Sequence, residues 1–398
     1  MMNRNLPAIM VLIFSLPAQA EELGRIKVLT YNVFGVFVAP NRGARMAKIG
    51  AEVAKLDPEV IGFQEAFNRK QRARILSDLE KSGWGKPYEF YRKNWYGPGA
   101  WIVSKYPFEQ TEGLTYPVNG TPLDSDYYAQ KGVAYARIKT PFGPLDFFDT
   151  HMIARYSNVY DRRGRLVEDD WSKTDRLLQA EYMARAAALS RGLRSLVAVG
   201  DFNSPPVLLE YRLFKALSGL NNVADELPID RCPASEEDCI LEQRIDHIFY
   251  RNYAAGQGFF LKPVRLELVL NEKVSTSMGQ INLSDHNGLL AEFAVLSGDD
   301  PGAKIGGEAK IYRLPEAASA EFTPAMEQAL EKGAINPADP DWTRFSAAML
   351  QKLNDLRARR NKVPTTLAKI LTAKPGEELT LEKSDLENLE KARKLNSK

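Results

Sequence analysis

Short β-branched and apolar runs, each closing on a polar residue and separated by stretches of helical periodicity, recur along this chain and limit what it can fold into. Ile26 to Val33 is apolar enough for a strand and carries Asn32 at its C-terminal edge. Residues 42 to 56 place Met46, Ile49, Val53 and Leu56 on one helical face and stop at Asp57-Pro58. Val60 to Gln64 is a short apolar strand with Glu65 at its end. Trp101 to Ser104 is a strand leading to a Lys105-Tyr-Pro107 turn. Val133 to Ile138 and Leu145 to Phe148 form a hairpin around Pro141-Phe-Gly-Pro144, with Asp149 and His151 following it. A helix from about Thr174 to Arg191 precedes Leu196 to Val199, a strand that ends in Gly200-Asp201-Phe202-Asn203. Arg244 to Tyr250 is a strand bearing Asp246, and Leu283-Ser284-Asp285-His286 precedes a strand from Leu289 to Phe293. Such alternation reads as an α/β fold whose polar strand ends share one cleft.

The chain is long enough for one large domain with an appendage, or for two domains. Its 53 basic and 51 acidic residues leave a formal charge of +2, so no strong overall field is available to hold a polyanion. Residues 1–20 read as a secretory signal peptide. Arg4 supplies the positive start, Leu6 to Leu16 the apolar stretch, and Ala18-Gln19-Ala20 a cleavage site before Glu21. The apolar run is too short to span a bilayer, which takes about 20 residues. The mature chain is therefore expected to be exported, periplasmic or secreted. In such a compartment Cys232 and Cys239 are expected to close a small disulfide loop rather than remain thiols.

The 3 histidines each stand beside an aspartate, in Asp149-Thr-His151, Asp246-His247 and Asp285-His286. Imidazole titrates near neutrality, and a carboxylate can orient it or raise its basicity. Adjacent strand residues face opposite ways, so His247 is expected to point away from any cleft that Asp246 enters.

Six ordered segments, TYNVFG, FQEAF, DTHMIAR, GDFNSPP, RIDHIFY and LSDHNGLL, resemble the endonuclease/exonuclease/phosphatase superfamily of metal-dependent phosphoesterases over roughly residues 25 to 296. The resemblance implies a four-layer α/β sandwich, two mixed β-sheets flanked by helices, occupying residues 21–296. It also implies Glu65 as principal metal ligand, Asn32 near the metal and Asp285 as a further ligand, with Mg²⁺, or Mn²⁺ or another divalent cation, as cofactor. Hard oxygen ligands suit such an ion. His286 becomes the leading general base, oriented by Asp246, with Asp201 the competing candidate. Asn203 would position the nucleophile or phosphate, and His151 would contact a phosphoryl oxygen or assist the leaving group. Such residues answer what phosphodiester hydrolysis needs: charge neutralisation, a base for water, and donors for the transition state.

Within the superfamily, DTHMIAR with a long polar insertion (Tyr156 to Lys173), Gly97-Pro-Gly99 through Pro107 and Leu-Ser-Asp-His are most similar to neutral sphingomyelinases and related phospholipases C. A phospholipid substrate and transient contact with a membrane surface follow from that likeness. A secreted, DNase I-like endonuclease is the alternative, kept in view by Arg155, Arg162, Arg163 and Arg165; a catalytically dead binding module would be expected to have lost a site residue, and none is missing. Where secreted bacterial sphingomyelinases often carry an aromatic membrane hairpin, this chain reads VSTSMGQIN from Val274 to Asn282. Tyr88, Phe90, Tyr91, Trp95, Tyr96 and Trp101 offer another interfacial surface, or else pack in the sandwich.

Past Ser297 the composition shifts to a linker and a C-terminal helical extension over residues 297–398. Helical stretches run from Thr323 to Gly333, from Asp339 to about Arg360 and from Ser384 to Leu395. Trp342, Phe345, Met349, Leu353 and Leu356 give the middle one an apolar face for its own domain, a partner or a membrane.

Overall fold

A computed structural model describes residues 20–301 apart from 93–98, 117, 121–124, 156–157, 161–165, 169, 190–193, 234, 242, 253–255 and 278, together with 311–313 and 378–380. In chain order the first half holds β1 (Glu22–Asn32), α1 (Arg42–Leu56), β2 (Val60–Gln64), α2 (Arg69–Leu79), a π-helical turn (Glu80–Trp84), β3 (Tyr88–Tyr91), β4 (Trp101–Ser104), β5 (Phe108–Thr115), α3 (Ser125–Ala129), β6 (Gly132–Thr140) and β7 (Gly143–His151). Then come β8 (Asn158–Tyr160), β9 (Leu166–Glu168), α4 (Asp170–Leu189), β10 (Leu196–Asp201), α5 (Leu209–Ser218), β11 (Asn221–Asn222) and α6 (Val223–Glu226). A 3₁₀ turn (Glu237–Cys239), β12 (Asp246–Arg251), β13 (Phe259–Val269), β14 (Val274–Thr276), β15 (Gly279–Ile281), β16 (Gly288–Ser297), β17 (Ile311–Arg313) and β18 (Glu378–Thr380) complete the described elements.

Two six-stranded sheets, ordered β13-β16-β1-β2-β4-β3 and β11-β12-β10-β7-β6-β5, form the body. Each is mixed. β1 and β2 run parallel in the first sheet and β7 and β10 in the second, while the other pairs are antiparallel. The period-2 alternation of strand side chains sorts residues between layers. On β1, Ile26 and Val28 enter the core between the sheets, and Leu29 and Tyr31 enter the core under α1 and α2. On β10, Val197 and Val199 face the other sheet, and Leu196 and Ala198 face α4 and α5. The result is the four-layer α/β sandwich, helices outside and two sheets within. Gly62 on β2 lets the sheets approach closely: a Cβ there would lie 2.4 Å from Val199 Cγ2 and 3.0 Å from Asp149 Oδ1.

Several boundaries differ from the pattern of the sequence. β7 continues to His151, because Asp149 to His151 pair on both sides, with β6 and with β10. Asp149 and His151 therefore lie within the strand rather than after it. β12 begins at Asp246, leaving Arg244 in the preceding turn. α2 has few apolar positions, but Asn68 caps it by accepting from the backbone N–H groups of Lys70 and Gln71. β13 carries Pro263 at a register shift, where the missing N–H is tolerated.

Cys232 and Cys239 are joined in a disulfide. The expected signal segment lies outside the described residues except for its last position. Of the C-terminal region, β17 and β18 pair antiparallel, and the three expected helices lie outside the described residues. No described helix is long and apolar enough to cross a membrane.

Candidate active site

The inward parity of each strand carries to one end of the sandwich. Val28 is followed inward by Thr30 and Asn32, Phe147 by Asp149 and His151, and Val199 by Asp201; Asp246 opens β12 on the same face as Ile248 and Tyr250. Register places Asn32 beside Gln64, and Asp201 between His151 and Asp246. His286 enters from the turn before β16, which pairs with β1.

The chain leaves these strands in strained turns. Phe34, Glu65 and Asn203 hold φ of 47°, 57° and 49°, in the left-handed region, at a cost of about 1–3 kcal/mol each. The surroundings impose these conformations. A Cβ on Gly99 would stand 2.6 Å from Glu65 Cα. Buried Arg45 donates to Val33 O (3.1 Å), Phe34 O (2.7 Å), Pro40 O (2.9 Å) and Leu283 O (2.8 Å), tying the segment after β1 to the one before His286.

Two contacts couple the sheets across the cleft. His286 Nδ1 lies 2.7 Å from Asp246 Oδ2, and Asn32 Nδ2 donates to Asp201 Oδ2 at 3.1 Å. Asn32 Nδ2 also lies 3.4 Å from His286 Nε2. That arrangement fits an imidazole with its proton on Nδ1, toward Asp246, and its Nε2 lone pair facing the Asn32 amide. Burial opposes charging of His286, but Asp246, then Asp201 and Asp285, outweigh it and raise its pKa well above the usual 6.5. Burial likewise opposes ionisation of Asp201, yet His151, His286 and Lys131 hold its carboxyl below the ordinary carboxylate range.

The sequence did not single out Lys131. Its buried ammonium lies 2.7 Å from His151 Nε2, 3.0 Å from Asp126 Oδ1 and 2.9 Å from Met152 O. His151 Nε2 is also 3.3 Å from Asp201 Oδ2, so it can accept from the lysine or donate to the carboxylate, not both. His151 Nδ1 is buried without a hydrogen-bond partner among the described residues. Gln64 and Asp149 were also missed as a pair: Gln64 Nε2 donates to Asp149 Oδ1 at 2.7 Å, and Trp101 N to Oδ2 at 3.0 Å. These bonds brace both sheets just beneath the cleft.

The other expected residues take varied positions. Asn203 N donates to Asp201 Oδ1 (2.9 Å) and its Nδ2 to Met152 O (3.0 Å), leaving its carbonyl oxygen available. Asp285 is exposed beside Ser284. It and Glu65 both act electrostatically on Arg45. His247 faces α5, as strand parity requires: Asn222 Nδ2 lies 3.2 Å from its Nδ1 and Ser204 O 3.0 Å from its Nε2, with Tyr211, Phe202 and Phe249 around the ring.

A divalent cation suits two sets of donors. Glu65 Oε2 is buried with no hydrogen-bond partner among the described residues, an arrangement that a hard cation would satisfy. Asp201, Asp246 and His286 also offer ligand atoms within 4.8 Å of one another, but there the His286–Asp246 hydrogen bond already engages two of the three groups.

The pattern of the Endonuclease/Exonuclease/phosphatase family matches residues 29–286. An inositol phosphosphingolipids phospholipase C of Schizosaccharomyces pombe is 28% identical over 213 residues, 51% of this chain and 46% of that protein. Sphingomyelinase C 2 of Leptospira interrogans is 28% identical over 159 residues, 33% of this chain and 24% of that protein. The chain thus spans less than half the length of these curated relatives. A crystal structure of beta toxin from Staphylococcus aureus shares the fold, with a TM-score of 0.51 at 19% identity over 67% of this chain and 99% of that one.

Proposed function

The chain belongs to the Endonuclease/Exonuclease/phosphatase family, and from its site we propose that it is a metal-dependent phosphodiesterase that hydrolyses sphingomyelin, or a related phosphosphingolipid, to ceramide and a phosphorylated headgroup. The observation that carries this reading is the His286–Asp246 pair, whose Nε2 lone pair opens toward the cleft beside Asn32 and Asp201. One curated relative is named for inositol phosphosphingolipids and the other for sphingomyelin, which supports a substrate of that class.

In this mechanism His286 Nε2 takes a proton from water as its oxygen attacks phosphorus, and Asp246 steadies the resulting imidazolium. The bond from phosphorus to the ceramide oxygen breaks in line, and that oxygen takes its proton from solvent water, to which His286 then returns its own. Asp201 is the weaker base, because its neighbours favour the carboxylate. It instead fixes Asn32 and, with Lys131, sets the electrostatic surroundings of His151. Asn32 and His151 supply donors for phosphoryl oxygens, and Asn203 holds the Met152–Asp201 corner in shape. Glu65, with Asn32 and Asp285, would hold a divalent cation such as Mg²⁺, which when bound neutralises charge on the phosphoryl group.

The nuclease reading rested on four arginines. Three of them, Arg162, Arg163 and Arg165, lie outside the described residues. Export fits the segment at residues 1–20 and the Cys232–Cys239 disulfide. The test is to incubate the purified mature chain with Mg²⁺ and, separately, sphingomyelin vesicles, inositol phosphosphingolipid vesicles and supercoiled plasmid. Release of phosphocholine or phosphoinositol, lost in His286→Ala, is expected. Plasmid nicking with no headgroup release would overturn the lipid reading.

A further inference from the structure

The turn just beyond Asn32 is built from side chains that turns normally avoid. Val33 to Pro40 reads VFGVFVAP, without a charge, and Ala39 N donates to Val36 O at 3.1 Å, so Phe37 and Val38 form the two corners. Turn corners favour Gly, Pro, Asn, Asp and Ser. Here Phe37 is 67% exposed and Val38 92%. Arg45 holds the backbone of this loop through its bonds to Val33, Phe34 and Pro40, so the two apolar side chains stand on a fixed pedestal. The fourth bond of Arg45, to Leu283 O, fixes that pedestal relative to the turn bearing His286.

Further exposed apolar side chains share this end of the sandwich. Tyr128, 50% exposed, sits on α3 just before Lys131; Leu241, also 50% exposed, precedes Asp246. Half-buried Arg42 lies with its guanidinium 4.9 Å from the centroid of the Phe37 ring. An arginine among protruding apolar side chains matches a phospholipid surface, with phosphate outside and hydrocarbon beneath.

We propose that Phe37 and Val38, flanked by Arg42, Tyr128 and Leu241, dock this protein on a lipid bilayer with the cleft facing the headgroups. The hairpin β14–β15 is a poorer candidate, because the exposed described residues on it are Ser275, Ser277, Gly279 and Gln280. The aromatic group around β3 and β4 is set aside too. Trp101 is buried, Phe90 packs in the core between the sheets, and Tyr91 packs against the core under α1 and α2. Tyr88 is 45% exposed but pairs with Ser104, at the end of the sheet away from the cleft, and Trp95 and Tyr96 lie outside the described residues.

This inference rests on the phospholipid reading, and the experiment separates the two. Cosedimentation with sucrose-loaded phosphatidylcholine–sphingomyelin vesicles is measured in a His286→Ala background, for the parent, F37S/V38S and Tyr88→Ser. The double substitution is expected to weaken vesicle binding by about tenfold or more, with Tyr88→Ser unchanged and thermal unfolding of all three alike. In the active background the double variant should lose turnover of vesicles while keeping turnover of sphingomyelin in detergent micelles. Equal vesicle binding by parent and double variant, or an equal loss in Tyr88→Ser, overturns the docking surface. Headgroup release that the double substitution leaves intact on vesicles overturns it too, while sparing the proposed chemistry. A parent that binds vesicles yet releases no headgroup overturns the chemistry instead.

Discussion

His286 and His247 show how one residue type is put to opposite uses by its neighbours. Asp246 raises the proton affinity of His286, so the base-competent neutral form appears only as pH climbs through a pKa above 6.5. The acid limb of kcat/KM is expected above that value. Asp246→Asn should move the limb to lower pH and cut kcat by about 10²–10⁴-fold; a pH–rate profile with an unmoved limb would contradict the pairing. Burial, and then Arg244, depress His247 to about 3. Below the usual 6.5 the unfolded chain takes up a proton that the folded chain refuses, so stability falls as pH drops from about 6.5 toward 3, by about 1.4 kcal/mol per pH unit. In urea titrations from pH 6.5 to 4.5, His247→Phe should flatten the slope by about that amount; an equal slope would mean that His247 is protonated in the fold. The outward sense of His247 was legible from strand parity, whereas His286 stands in the turn before β16 and its role followed from the family resemblance. Lys131 and the Gln64–Asp149 bond were not legible, because a partner across the cleft leaves no mark on local sequence.

Strands were legible where both faces are buried or alternate cleanly, as in β2, β4 and β10. The edge strand β5, FEQTEGLT, escaped notice because its solvent face dilutes the apolar signal, and β13 because Pro263 and the register shift interrupt an otherwise apolar run. α2 escaped for the same reason as β5: RKQRARILSDL turns only a narrow face inward. Gly62 tests how tightly β2 is bound to the opposite sheet. A side chain there meets Val199 and Asp149, so Gly62→Ala is expected to cost about 1–3 kcal/mol, read as a lower urea midpoint at unchanged m. A neutral result would show that β2 can retreat without loss.

Across the whole molecule, the sandwich and the convergence of polar strand ends were both readable in advance. The closure of β16 onto β1 was not, since their pairing spans nearly the whole described body. Cation binding should act at this same level. If Glu65 anchors the ion, Mg²⁺ at about 100 times its Kd adds about 2.7 kcal/mol to stability and raises Tm, and EDTA reverses the gain. Glu65→Gln should abolish that shift in a thermal scan; a shift that persists would point to Asp201, Asp246 and His286 as the ion's ligands instead.

Asn32 reaches Asp201, and His286 reaches Asp246, only across the gap between two sheets. The strand that follows His286 closes against β1, the first strand among the described residues. A growing chain therefore owns no working site until residues near 297 have emerged and returned to their beginning. The proposed base is seated only once β16 has paired, and a product that stops short of it would lack the strand that holds His286 in place.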